Sequence, residues 1–489
     1  MVGFEVKINA FVEDLLDGYF PDKGDGKVIH DPIWGSVFYA GWEIQIIDSP
    51  VVQRLRDIHQ LGMADLTYTA ARHSRFEHSL GTAAIAGRMA EQLKKRSKYY
   101  RITDLDVNTV RLAALLHDVG HCFYSHLSER VYGEMPGFSE LMKEKNVKCS
   151  PHEFMSYLII TSPAFSSFFD EYIDFPDKQS CPDILLRAAN MVVGKKNYDS
   201  DGNALTFLTS IINGEFDADK LDYTQRDSYT AGIAMTYGVE RFLMKLMVHP
   251  TEENGKKNYV LAVDSDALTT IEELIFNRSI LYVYMYRHQK VLATEAALRD
   301  VVLGMVDVGL LHDPADFLKY SDSDVETFDT VDSIPFESEN NLLPLGRMIK
   351  NIKVRKLPKR IDEFSLEKME KKDDSISDFA FVREFISKVE KDPAAIRRAV
   401  FEKVRDKYFE LGKIVDFTLF DIYVSFPPMI KTSTDFLLVS KNGTVRSTAD
   451  KKYIKDWAEA FAAEKWRGYI FCNSNVDRKI AAECLKGGF

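Results

Sequence analysis

The sequence predicts a mostly α-helical protein that ends in a smaller α+β lobe. Three observations predict it. From Lys27 to about Val248, apolar residues recur at helical spacing. A second helical block runs over about 266–310 and includes the stretch Ile271–Lys290. Beyond about residue 395, the runs Val415–Phe426 and Phe436–Ser440 turn β-like, with helices expected near 451–464 and 476–485. At 489 residues and 45% hydrophobic content, the chain can bury a large core.

Taken in order, residues 1–26 form a lead segment, with a short helix around Phe11–Leu16 and a Gly/Asp turn at Asp22–Gly26. Residues 27–320 make the main helical domain. Ser74 and Glu77 stand at capping-box spacing ahead of an apolar run, which puts His78 in the first turn of a helix. Val110–Leu116 is almost wholly apolar, so its helix is central, with Gly120 as its stop. His117 and His121 are four apart and share a face where that helix persists. Residues 321–394 are expected to connect. Ser321–Asp332 is acidic and turn-prone, a surface segment, and Glu367–Asp374 is a solvated charge run. Residues 395–489 make the α+β lobe. No internal repeat is visible.

Several function classes are disfavoured. The net charge of −11 (63 basic against 74 acidic residues) argues against nucleic acid as the main ligand. Five scattered cysteines without a C-x-x-C pair fit a reduced, cytoplasmic protein without a zinc ribbon. The N-terminus lacks a signal-peptide core, and no apolar run approaches the roughly 20 residues of a membrane span. Gly24-Asp25-Gly26-Lys27 lacks the spacing and hydroxyl of a P-loop, so any phosphates must be held by Arg, Lys, His and metal.

The chemistry concentrates in His78, the adjacent pair His117-Asp118, and Asp219. Two imidazoles and two carboxylates suit one divalent ion (Fe, Mn, Zn, Ni or Mg) with positions left for water. A lone His-Asp dipeptide more often packs or caps. The full set points instead to metal-assisted hydrolysis of a phosphate ester or anhydride.

The segments His73–Gly81, His117–His126, His152-Glu153 and Asp219–Asp227 occur in an order that resembles the HD-domain deoxynucleotide triphosphohydrolases (dNTPases). The chain is similar to the vertebrate SAM-and-HD-domain enzyme and to bacterial dGTPase-like enzymes, over roughly residues 27–485. Only about 26 residues precede the match, so no SAM domain is expected. The resemblance implies an HD-domain helical core and cleavage of dNTPs to deoxynucleoside and inorganic triphosphate. It implies His78, His117, Asp118 and Asp219 as metal ligands, with a further Mg or Mn accompanying the triphosphate. His121 and His152 would flank the reacting phosphate, with Glu153 orienting His152. Glu129 stands where the family usually has Asp.

By the same resemblance Arg75, His126, Lys220, Tyr223 and Arg278 hold the triphosphate. Gln60 and Asp227 contact the 3′-hydroxyl, while Leu61 and Tyr286 crowd the 2′ position and so exclude ribose. Tyr282 replaces a histidine near the substrate. Read without the resemblance, Tyr286 is an ordinary core aromatic and the basic residues are surface ion pairs. Lys27, Val28, Ile29, Asp48, Gln53 and Arg56 resemble a guanine-nucleotide (GTP or dGTP) activator site, and Arg241 a neighbouring pocket. In the family this site lies between subunits, so a homo-oligomer from dimer to hexamer is implied, a tetramer foremost. The bland reading is that Asp48-Ser49-Pro50 caps a helix with solvated Arg54 and Arg56. Two rival functions stay open: a phosphodiesterase or nuclease on the same scaffold, and a non-catalytic nucleotide sensor. Pool balance and depletion of dNTPs against virus or phage would use the same chemistry.

Overall fold

A computed structural model of the chain describes residues 3–330, 334–336, 341–367, 392–429 and 436–485, with single positions at 384, 386, 387 and 389. The lead helix α1 (Phe4–Leu16) precedes a hairpin that the helical reading did not anticipate. Its strands β1 (Gly26–Asp31) and β2 (Gly35–Ala40) pair antiparallel. Asp31 Oδ1 closes the turn by accepting from the Ile33 and Trp34 N–H groups at 2.7 and 2.9 Å.

The helical domain follows as α2 (Gly41–Ile47), α3 (Arg75–Arg96), α4 (Asp104–Leu116), α5 (His126–Tyr132), α6 (Pro151–Ile160), α7 (Pro163–Tyr172), α8 (Ile184–Val192), α9 (Thr206–Ile212) and α10 (Ala218–Thr230). α4 is central as its composition requires. Val110 and every residue from Leu112 to Leu116 are fully buried, against α3, α8 and α9. Its start is fixed by a capping box, in which Thr103 accepts from Asp106 N–H and Asp106 accepts from Thr103 N–H.

The end of α4 differs from the expectation. The helix stops at Leu116 with His117 as its cap, so His117 and His121 do not share a helical face. The cause is the close approach of α6. Ser156 Oγ donates to His117 O at 2.6 Å and accepts from Gly120 N–H at 2.8 Å. A Cβ at Gly120 would collide with the Ser156 nitrogen and the His152 carbonyl.

Strands β3 (Leu246–Glu253) and β4 (Lys256–Asp264) form a second hairpin, followed by α11 (Leu268–Leu281), a π-turn at Tyr282–Tyr286 and α12 (Gln289–Asp307). The acidic segment after Ser321 lies mostly at the surface as expected, with Asp322 and Val325 turned inward. Asp322 opens a short helix, Asp322–Glu326, and is buried. It accepts from His59 N–H, the His59 ring and Tyr124 N–H at 2.6–2.9 Å. That anchors Tyr124 and Ser125, both at positive φ, just ahead of α5. Residues 331–333 and 368–374 of the two charged segments lie outside the described residues.

The remaining elements are α13 (Leu345–Lys353), β5 (Lys359–Phe364), α14 (Pro393–Glu410), β6 (Ile422–Ser425), β7 (Leu437–Val439), β8 (Val445–Ser447), α15 (Lys452–Lys465), β9 (Gly468–Cys472) and α16 (Arg478–Cys484). β5, β9 and β6 form an antiparallel sheet with β9 in the middle, so the connecting region itself supplies a strand. β7 pairs parallel with β4 and extends the earlier hairpin to the order β8-β7-β4-β3.

Candidate metal centre and active site

Three helix ends converge. His78 lies in the first turn of α3, whose capping box is formed by Ser74 N–H donating to Glu77 at 2.6 Å. His117 and Asp118 follow the last turn of α4, and Asp219 lies in the first turn of α10. His78 Nε2 is 3.3 Å from His117 Nε2, 2.9 Å from Asp219 Oδ1 and 3.7 Å from Asp118 Oδ2. His117 Nε2 is 3.3 Å from Asp118 Oδ1 and 4.0 Å from Asp219 Oδ1. Bonds of about 2.1 Å to one ion place its donors about 3–3.5 Å apart, so the set fits a divalent cation. The outer nitrogens are already engaged. His78 Nδ1–H donates to Asp222 at 2.8 Å, and His117 Nδ1–H donates to Ala114 O at 2.7 Å. Both Nε2 lone pairs are thereby turned to a common point.

Electrostatics favour the same use. Burial alone would raise Asp118, but His117, Arg75 and His121 hold it well below the usual carboxylate range. Asp219 is likewise held low, against burial, by its hydrogen bond to His78 and the charges of His78 and His117. Burial alone would lower the His78 imidazole, but Asp219, Asp222 and Asp118 raise it to about 10. An arriving cation therefore displaces a proton at His78.

Asp118 also joins this centre to a second cluster. Its Oδ1 is 3.4 Å from His121 Nε2, and the His121 ring stacks on His152 at 3.9 Å. Ligating atoms of His121, His126, Glu129 and His152 all lie within 4.8 Å of one another. His121 is fully buried, and neither ring nitrogen has a hydrogen-bond partner among the described residues. Burial, Arg75 and His152 push it well below the ordinary imidazole value, so it is neutral. His152 is the reverse. Burial would lower it, but Glu129 accepts its Nδ1–H at 2.6 Å and raises it to about 9. Glu129 also reaches His126 Nδ1 at 3.2 Å.

Three of the expected residues have protein partners of their own. Glu153 meets His152 through Ser150 Oγ, which donates to Glu153 at 2.6 Å and lies 3.4 Å from His152 Nε2. The Glu153 carboxylate also accepts from Ser150 N–H at 2.6 Å, capping α6, and from Asn213 Nδ2 at 2.9 Å. Arg75 is buried and committed to Asp118 at 2.8 Å and Ser125 Oγ at 3.0 Å, so it braces the centre. The Lys220 ammonium donates to Gly214 O and Asp217. Gln60 Oε1 is buried without a partner among the described residues, a polar atom open to a ligand. Leu61 follows it in the same turn. Asp227 accepts from His73 Nε2 at 2.7 Å and from the Tyr286 hydroxyl, so Tyr286 is hydrogen-bonded rather than a plain core aromatic. Arg278 lies 6.0 Å from the Tyr282 ring, and burial pushes the Tyr223 hydroxyl well above its usual value although the Arg278 charge opposes it.

The hairpin residues are partly assembled. Lys27 Nζ pairs with Asp48 at 3.1 Å, while Val28 and Ile29 continue β1. Gln53 bonds Ile47 O and accepts from Arg56 Nε, and Arg56 covers the Phe76 ring at 3.6 Å. Arg241 bonds Asp266 O at 2.9 Å. Arg54 is not solvated: it donates to the Val119 and His121 carbonyls at 2.9 and 2.8 Å and holds the turn after α4.

Residues 75–160, which carry three of the four donors, match the HD domain. That stretch of the chain is an HD domain. The chain is 26% identical over 353 residues to the deoxynucleoside triphosphate triphosphohydrolase SAMHD1 homolog of Dictyostelium discoideum, covering 71% of this chain and 62% of that one. It is 28% identical over 281 residues to the deoxynucleoside triphosphate triphosphohydrolase SAMHD1 of Bos taurus, covering 54% and 45%. An uncharacterized protein of Methanocaldococcus jannaschii is 31% identical over 280 residues, covering 57% and 49%. The HD-domain chain thus spans about half the length of the curated relatives it matches. A hypothetical protein from Aquifex aeolicus shares the fold, with TM-score 0.63 at 21% identity over 94% of this chain and all of that one. A phosphohydrolase from Bacteroides thetaiotaomicron does so with TM-score 0.59 at 19% identity, over 91% and 99%. No helix among the described residues is long and apolar enough to cross a membrane.

Sequence reasoning passed over the residues behind His78: Asp222, Arg226, Trp34 and Asp31. A signal was present for two of them. Asp219, Asp222 and Arg226 are spaced three and four apart, one face of a helix.

Proposed function

We propose that this HD-domain protein hydrolyses deoxynucleoside triphosphates to deoxynucleoside and inorganic triphosphate. One observation carries the reading. Asp118 lies between the cluster of His78, His117 and Asp219 and a stacked pair of imidazoles, one neutral and one charged. A divalent metal held by His78, His117, Asp118 and Asp219 would supply Lewis acidity and lower the pKa of water. The Glu129–His152 ion pair places a proton donor beside the reacting phosphate. Water gives up a proton to solvent as it adds to the α-phosphorus, the bond to the 5′-oxygen breaks, and His152 gives that oxygen its proton. Neutral His121 contributes its one ring N–H to a phosphate oxygen, with His126, Tyr223 and Arg278 around it and Arg75 and Lys220 behind. Gln60 and the Asp227–Tyr286 pair, with Leu61, would read the sugar.

The names of the curated relatives support this substrate class. The Lys27–Asp48 pair, with Gln53 and Arg56, supports a guanine-nucleotide activator site at the hairpin, and with it a homo-oligomer. A phosphodiesterase or a nucleotide sensor would use the same donors differently. Chromatography of the products from each dNTP with Mg or Mn, with and without GTP, separates the three. Deoxynucleoside plus triphosphate, lost in Asp219→Ala, is the expected result. Shortened strands from single-stranded DNA, or bound nucleotide without turnover, would overturn it.

A further inference from the structure

Four side chains close around the back of His78. His78 is fully buried, and its Nδ1–H donates to Asp222 Oδ2 at 2.8 Å. Asp222 is itself fully buried. Its Oδ2 also accepts from Arg226 Nε at 2.8 Å, and its Oδ1 from Arg226 NH2 at 2.8 Å and Trp34 Nε1 at 2.5 Å. Arg226 NH2 in turn donates to Asp31 Oδ2 at 2.8 Å. A buried carboxylate is costly unless it is paired and fully hydrogen-bonded, and this one is both. Room for it is left by Gly81, one turn along α3 from His78, where a Cβ would fall on the Asp222 carboxylate and the Arg226 guanidinium. Among the described residues, the second imidazole of the centre has the Ala114 carbonyl rather than a carboxylate behind it. Asp31 and Trp34 both lie in the turn of the β1–β2 hairpin, far from His78 in sequence.

We propose that Asp222 is a positioning residue which keeps the His78 proton on Nδ1 and so sets the metal affinity of the site. The β1–β2 hairpin, through Asp31 and Trp34, sets how firmly Asp222 is held. The inference rests on the reading of His78 as a ligand. The mechanism is general: a carboxylate behind a ligating imidazole fixes its tautomer and raises its basicity, and losing it costs roughly 10–100-fold in metal affinity. Here that carboxylate is itself tied to a separate element.

The test is titration of the chelator-stripped full chain with Mn²⁺, beside the unfolding temperature of the stripped protein. Asp222→Asn is expected to bind the ion roughly 10–100-fold more weakly. Trp34→Phe, which removes one N–H and keeps the ring bulk, is expected to bind it a few-fold more weakly. A merely structural role would lower the unfolding temperature of stripped Asp222→Asn and leave its Mn²⁺ affinity unchanged, and that result overturns the proposal. Should Asp222→Asn fail to fold, Trp34→Phe decides, with wild-type affinity overturning it. His78→Ala separates the two levels. If it binds Mn²⁺ as wild type does, the reading of the ligand set fails. If it loses the ion while Asp222→Asn and Trp34→Phe retain it fully, only the role of Asp222 fails.

Discussion

His121 and His152 are stacked rings in opposite charge states, and Glu129 is the side chain that separates them. The imidazolium of His152 persists below about 9 and is lost as pH rises through that value. If it protonates the leaving oxygen, turnover falls on the alkaline side over that range. Glu129→Gln removes the charge that sustains it. The alkaline limb of the kcat profile should then move to lower pH, with kcat down by about a hundredfold. A limb that stays in place would mean that His152 is not the acid. The extra methylene of Glu129 also has a visible use, since one carboxylate oxygen serves both His152 and His126. At this scale the cluster of His78, His117 and Asp219 was legible because these residues lie in short, crowded motifs. Asp222 was not, because its meaning depends on Trp34 and Arg226 arriving from other elements. The link from Glu153 to His152 through Ser150 Oγ was not legible, because a carboxylate next to a histidine in sequence gives no sign that it turns back to cap its own helix.

Among the elements, the junction of α4 with α6 shapes the site most. Ser156 takes up the backbone groups that the broken helix leaves behind, and Gly120 has no space for a side chain. Gly120→Ala must push α6 away, because the obstructing atoms are backbone. A cost of about 1–3 kcal/mol is expected, read by urea unfolding, together with loss of activity as His121 and His152 separate. The same substitution at an open glycine such as Gly3 should be silent. The helices were readable from their caps and apolar spacing, α4 above all. The hairpins were not, although β3–β4 carried its own signal. Asn254-Gly255 is a two-residue turn with both φ positive, the geometry that matches strand twist. Asp322 was taken for surface because a run of acids gives no hint that one of them points inward to receive three donors.

For the whole molecule, the division near residue 395 is crossed by structure on both sides. β7 extends the sheet of β4, β5 joins the C-terminal strands, and Arg397 grips Asp300 of α12 with distances of 3.0 and 2.7 Å. Tertiary pairing of this kind has no local sequence signature, so the lobe was visible as composition while its attachment was not. The donors around His78 come from three helices that meet only in the finished fold. Stripped protein should therefore unfold at a lower temperature than protein supplied with metal. An ion at a hundred times its dissociation constant adds about 2.7 kcal/mol. An apparent unfolding temperature that ignores Mn²⁺ would show that the donors are not joined. An ion that does join them is a removable staple, and the lifetime of the protein against proteolysis follows metal supply. Starved of metal, the cell would lose the polypeptide along with its activity.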